Sequence, residues 1–134
     1  MSGRGEGPLR GLRVVELATG ITGPYAGKLL ADAGADVVKV EPPAGDPLRR
    51  WTASRTKLAS DADGALFQYL NANKRGAIAD VETDAGRERV ADLAAGADIV
   101  LESFGPGGAE RLGLGWTGVQ ARNRATTWVA TPSR

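Results

Sequence analysis

An α/β fold with a mostly parallel sheet flanked by helices is what this sequence predicts, and three observations predict it. Short β-branched runs recur along the chain, with stretches of helical spacing between them. The connections are too long for hairpins and suit right-handed βαβ crossovers. Gly or Pro stands at most changes of element, where a helix stops or a ladder ends.

The elements follow in order. Leu12 to Ala18 reads as a strand entered from Gly11. Thr19-Gly-Ile-Thr-Gly-Pro24 is turn-rich, with Thr22 as a helix cap and Pro24 early in the helix, where its missing N–H costs nothing. That helix carries Tyr25, Leu29, Leu30 and Ala33 on one side and stops at Gly34. Asp36 to Glu41 is the second strand, ended by Pro42-Pro43. A long irregular stretch from Pro42 to about Asp63 holds Arg49, Arg50, Trp51, Arg55 and Lys57, and loops of this length tend to be functional or mobile. Gly64 to Asn73 reads as a short helix with Leu66, Phe67 and Leu70 inward. Ala77 to Val81 is a weak third strand. The helix after it starts near Thr83 or Asp84, presents Val90, Leu93 and Ala94 at i, i+3, i+4, and stops at Gly96. Asp98 to Glu102 and Thr126 to Thr131 are the last two strands. Between them lie Phe104-Gly-Pro-Gly107, a short helix through Arg111, and another near Gly118 to Arg122.

Length and composition narrow the chemistry. The chain has 134 residues, the size of one domain with a single core. It contains no Cys and no His, which excludes disulfides, Cys or His zinc sites and His-based catalysis within these residues and leaves carboxylates, Lys and Tyr for acid–base work. No metal is expected. Lys+Arg 17 against Asp+Glu 16 leaves +1, which makes no case for nucleic acid as a partner. No apolar run approaches the roughly 18 residues of a membrane span, and Met1 to Gly11 has charge without the apolar stretch of a secretory signal. Residues 1–8 read as a flexible tail on a cytoplasmic protein, and 9–134 as a single α/β unit.

Ligands of open α/β sheets bind where strands lead into helices, and three segments stand out. Gly20 to Gly23 carries G-x-x-G, short of a dinucleotide fingerprint, yet the helix N-terminus behind it can hold an anion; a tight turn without ligand is the alternative. Asn71-Ala-Asn-Lys-Arg-Gly76 sets two amides and two cations at a helix end. Lys74 and Arg75 either complement the helix dipole or clamp a phosphate or carboxylate. In Glu102-Ser-Phe-Gly-Pro-Gly107 the glycines admit a ligand close to the backbone, Phe104 offers a ring for stacking and Arg111 follows to meet a phosphate. A buried Phe and a solvated Arg are the plain alternative there.

Taken together, these residues resemble the class III coenzyme A transferases of the CaiB/BaiF type. The resemblance runs from Leu9-Arg-Gly-Leu-Arg-Val-Val-Glu-Leu17 through Gly23-Pro24 and Leu29-Leu-Ala-Asp-Ala-Gly-Ala-Asp-Val-Val-Lys-Val-Glu41. It continues in Gly45-Asp-Pro47, Arg50-Trp51, Asn73-Lys-Arg75, Gly86-Arg87, Ala97-Asp-Ile-Val-Leu-Glu102, Phe104-Gly-Pro-Gly107 and Glu110-Arg-Leu-Gly113. It implies a Rossmann-like domain, carried here only in part, and in the complete family fold an interlocked homodimer. It implies coenzyme A as the coenzyme, with acyl-CoA and carboxylic acid substrates, and transfer through acyl-aspartyl anhydride and aspartyl-CoA thioester intermediates. The α-methylacyl-CoA racemase branch shares the fold, so racemisation is a second reading, and a non-catalytic CoA-binding or interaction module a third.

Carried over residue by residue, Phe104 and Gly105 match the family's adenine-side loop and Arg111 a basic residue that meets CoA. Ser103 stands where many members have Asn. Ile21 and Thr22 align with a backbone-contacting pair, and Ala79 with a further CoA-lining position. Pro42 and Glu82 fall where cations can occur. Either CoA is gripped differently, through Lys74, Arg75, Arg49 or Arg50, or affinity is reduced. The family's nucleophilic Asp lies downstream of these residues, and none of Asp32, Asp36, Asp46, Asp80 or Asp98 occupies its motif position. No catalytic residue is therefore assigned, and the chain alone is expected to be inactive.

Overall fold

The structure, a computed structural model, describes residues 6–114 and 122–132. Five strands, β1 (Arg13–Leu17), β2 (Asp36–Glu41), β3 (Arg75–Ile78), β4 (Ile99–Glu102) and β5 (Thr127–Ala130), form one sheet in the order β3-β2-β1-β4-β5. Every pairing is parallel, with Val14 opposite Val37 on one side and Ile99 on the other. The predicted α/β class is thus what the chain adopts, and the strand order is the Rossmann one, reversing direction at β1/β4.

Helices α1 (Thr22–Asp32), α2 (Ala65–Asn71), α3 (Asp84–Ala95) and α4 (Gly108–Arg111) connect the strands, with a 3₁₀ turn at Pro47–Arg50 in the long loop. Because side chains alternate along a strand, the two faces of the sheet differ. Val15, Leu17, Val40 and Val100 face α3, where Val90 and Ala94 close an apolar core. Val14, Val37 and Leu101 face α1 and pack with Ala31 and Ala35. Further along the α1 face that cluster gives way to Glu16 and Lys39, which are buried and opposite each other in register.

Helix α1 does not bury the whole side that carries Tyr25, Leu29, Leu30 and Ala33. Its buried residues are Gly23, Pro24, Gly27 and Ala31, while Tyr25 and Leu29 are about half exposed, at 45% and 53%. Glycines turn inward because the helix lies against β1. A Cβ on Gly23 would stand 2.2 Å from Ala18 Cβ, and one on Gly27 2.0 Å from Glu16 Oε1. The helix begins at Thr22 itself, with Ile21 as its cap residue and no side-chain cap bond. Gly34 does end it, at φ +108°, in a Schellman closure in which Gly34 N–H donates to Ala31 O and Ala35 N–H to Leu30 O.

The third strand starts two residues earlier than predicted and ends three earlier. Asn73, at φ 68°, turns the chain directly from α2 into β3, and Asp80 to Thr83 is taken up by the N-terminus of α3, where Thr83 Oγ1 accepts from Gly86 N–H. The expected helix at 118–122 falls almost wholly outside the described residues.

Candidate functional site at the carboxyl edge of the sheet

The strand order places the loops after β1 and β4 side by side at the switch point. One hydrogen bond joins them: Thr19 N–H donates to Ser103 Oγ at 3.0 Å. Ser103 is buried, and its hydroxyl can accept this bond while still donating its own proton elsewhere. The next loop is shaped from below. The buried Glu102 carboxylate accepts from Phe104 N–H at 2.7 Å, and Gly105 and Gly107 take positive φ values of 85° and 72°. Gly108 lets the Phe104 ring lie close, since a Cβ there would be 2.7 Å from Phe104 Cβ.

Phe104 forms one wall of an apolar slot of about 150 Å³ lined also by Leu17, Thr19, Val40, Pro42 and Ala79. Thr19 is shared with a second depression of about 240 Å³ on the α1 side, bounded by Gly20, Asp46, Leu48 and the half-exposed Trp51. On the other flank a cavity of about 510 Å³ opens between the Gly105–Gly107 loop, Trp128 and Thr131. Phe104, Ser103, Gly105 and Ala79 are thus gathered at one edge with the Ile21–Thr22 turn, which is exposed there. Arg111 is exposed beside Gly107 and, among the described residues, has no ion-pair partner.

The structure does not bring Arg75 to this edge. It opens β3 at the opposite end of the sheet and holds Asp36 through two hydrogen bonds of 2.8 Å. Lys74 is buried below the β1–α1 turn, bonded to Pro24 O at 2.9 Å and Asn71 Oδ1 at 2.8 Å, with Glu16 Oε1 at 2.7 Å. Burial pushes its pKa down to about 8, against the opposing pull of the Glu16 charge. Arg49 is spent on Glu41 and Asp63 and lies over the Phe67 ring. Burial pushes Glu41 up, but the Arg49 hydrogen bonds and the Asp46 N–H outweigh it and leave its carboxyl below the ordinary range. Arg50 donates to the Leu58, Ala59 and Ala62 carbonyls. Of the cations named for an anion, Arg111 is the one left available at the carboxyl edge among the described residues.

Glu16 and Lys39 were missed by the sequence reading. Lys39 Nζ donates to Glu16 Oε2 at 3.0 Å and Ala18 O at 2.9 Å and lies 3.0 Å from Asp46 Oδ2. Glu16 Oε1 and Asp46 Oδ2 meet the lysines as ion-pair contacts, not as aligned hydrogen bonds. The signal was present: Val-Val-Glu-Leu and Val-Val-Lys-Val each place one charge inside a run that a two-sided parallel sheet buries.

A Rossmann-ordered sheet with glycine-bent loops and an aromatic slot at its switch point is an α/β unit of the kind that places a ligand where the strand order reverses. Comparison with known proteins specifies which one. Residues 9–127 match CoA-transferase family III, and the chain belongs to that family. It is 43% identical over 117 residues to succinyl-CoA–D-citramalate CoA-transferase of Chloroflexus aurantiacus, a match covering 87% of this chain and 28% of that protein. It is 40% identical over 119 residues to succinate–glutarate CoA-transferase of Agrobacterium fabrum, covering 87% and 30%. The crystal structure of a CaiB/BaiF family protein from Brucella suis superposes with a TM-score of 0.85 at 41% identity, over 92% of this chain and 33% of that one. The chain therefore spans about a third or less of the length of these relatives.

Proposed function

We propose that these residues form the coenzyme A-binding part of an enzyme that transfers CoA between carboxylic acids. The observation that carries the reading is the Phe104 slot at the switch point, in a chain whose relatives are named CoA-transferases. The adenine ring enters the mainly apolar slot between Phe104, Pro42 and Ala79, where an aromatic face offers stacking. The Gly105–Gly107 loop gives the coenzyme close access to main-chain N–H groups, and Arg111 meets its phosphates. The Ile21–Thr22 turn guides the pantetheine arm across the switch point.

Transfer in this family type runs through an aspartyl nucleophile, and the Asp residues expected not to serve have other work. Asp36 holds Arg75, Asp46 caps Leu48 N–H beside Lys39, and Asp98 accepts from Arg13 N–H. Asp32 holds Lys28 and Asn73, and Asp80 accepts from Glu82 N–H. In this reading the chain binds the coenzyme and the nucleophile comes from elsewhere, and the interlocked homodimer and cytoplasmic setting belong to the same reading. Calorimetry with CoA tests it together with an acyl-CoA and carboxylate exchange assay. Saturable heat, weakened by Phe104→Ala, with no exchange by these 134 residues alone, is the expected result. Rapid exchange would overturn the missing nucleophile, and absence of heat at millimolar CoA would overturn the binding role.

A further inference from the structure

We propose that Glu16, Lys39 and Lys74 are positioning residues: a buried brace that fixes the β1–α1 turn from beneath at both of its ends. The importance of that turn to a ligand rests on the coenzyme reading above; the brace itself does not.

The turn is entered at Ala18 and left at Pro24. Lys39 reaches the Ala18 carbonyl and Lys74 the Pro24 carbonyl, each at 2.9 Å. One carboxylate joins the two lysines, Glu16 giving Oε2 to Lys39 and Oε1 to Lys74. Asp46 and Asn71 complete the set, so each ammonium has three oxygen neighbours for its three N–H groups. The side chains of Glu16, Lys39 and Lys74 are no more than 3% exposed. Gly27 leaves the room, since its Cβ would collide with Glu16 Oε1 and stand 3.2 Å from Lys74 Nζ.

Apolar residues of similar volume would fill this space without the desolvation cost of buried charges. They could not hold two main-chain carbonyls at set distances. The brace also reaches sideways, because Asp46 accepts from Leu48 N–H and so ties the Trp51-lined depression to the same cluster.

The arrangement is sensitive to pH. Lys74 faces Glu16 from β1, Lys39 from β2, Asp46 ahead of the 3₁₀ turn, and Asp32 from α1. Its pKa of about 8 means that mild alkali leaves a neutral amine, which loses the ion-pair attraction to Glu16 Oε1 and with it the carboxylate link between the two lysines.

The test is amide hydrogen exchange by NMR on this 134-residue chain, with CoA titrations alongside. The reporters are the Thr19 and Tyr25 amides, bonded to Ser103 Oγ and Ile21 O; Val90 and Ala94 in α3 serve as the reference. Lys74→Met is expected to speed exchange at the reporters about tenfold relative to α3. Glu16→Gln with Lys74→Met, which removes the charge imbalance, is expected to do the same and covers a single variant that fails to fold. In the wild type, going from about pH 7 to about pH 9.5 should produce the same local loss after correction for intrinsic exchange. Reporter amides as protected in the folded double variant as in the wild type, or a flat pH response in the wild type, would overturn the brace. Loosened reporters with no CoA binding by the wild type would leave the brace standing and sink the coenzyme reading instead.

Discussion

The two faces of this sheet are held to their helices by different physics. On the α3 face, Val15, Leu17, Val40 and Val100 meet Val90 and Ala94 in an apolar core. On the α1 face, apolar contact through Val14, Val37 and Ala31 is joined by Glu16, Lys39 and Lys74, closed in by glycines on the helix. Apolar packing is non-directional and tolerates shape changes. Buried ions are directional, and they fail when one partner is removed. The α3 face therefore anchors the sheet, while the α1 face sets the main-chain position of the loop that leads toward the candidate ligand.

The sharpest way to break that comparison is Lys39→Met. It strands the buried Asp46 and leaves Glu16 with Lys74 alone, and urea unfolding should show a loss of about 3–5 kcal/mol. A change under about 1 kcal/mol would mean that the cluster is not charged as described. Next in size is pH. Lys74 has its pKa lowered from 10.5 to about 8, so between those values the folded chain holds fewer protons than the unfolded one. Stability from this group then rises with pH across the window, by up to about 3 kcal/mol, and the cost of the buried charge is fully present below about pH 8. Wild type should gain on Lys74→Met between about pH 7.5 and about pH 10, even as its β1–α1 turn loosens. Opposite signs for global and local stability are hard to obtain from any purely apolar packing.

On the α3 face, Val100→Ala should cost roughly 2 kcal/mol from two lost methylenes and a partly relaxed cavity, with CoA affinity unchanged. A large loss of affinity without loss of stability would mean that this face, too, positions the site. Arg75→Ala should do least. Its pair with Asp36 is exposed, so less than about 1 kcal/mol is at stake. CoA affinity should not move, because Arg75 lies at the far edge of the sheet.

Much of this arrangement was legible in the residues. Strands β1 and β2 and helix α3 follow from β-branched runs and from Val90 and Ala94 at helical spacing, because apolar burial leaves a period in the sequence. The Phe104 loop was legible because its glycines and ring are local. The buried face of helix α1 was not legible, because close approach to β1 selects Gly23 and Gly27 there and not large apolar residues. Between the two readings open for Lys74 and Arg75, the sequence could not choose. Neighbours in sequence, they diverge at the start of a strand, where alternate side chains go to opposite faces of the sheet. The Glu16–Lys39 pair depends on strand register, which only the assembled sheet specifies.

The central claim is that CoA binds at the carboxyl edge around Phe104. Mapping amide shifts during a CoA titration tests it without any substitution. The account predicts shifts gathered at Thr19 to Thr22, Ala79 and Ser103 to Arg111, with Arg13, Asp36 and Arg75 unmoved. Shifts centred on Arg75 and Asp36, or none at millimolar CoA, would contradict it.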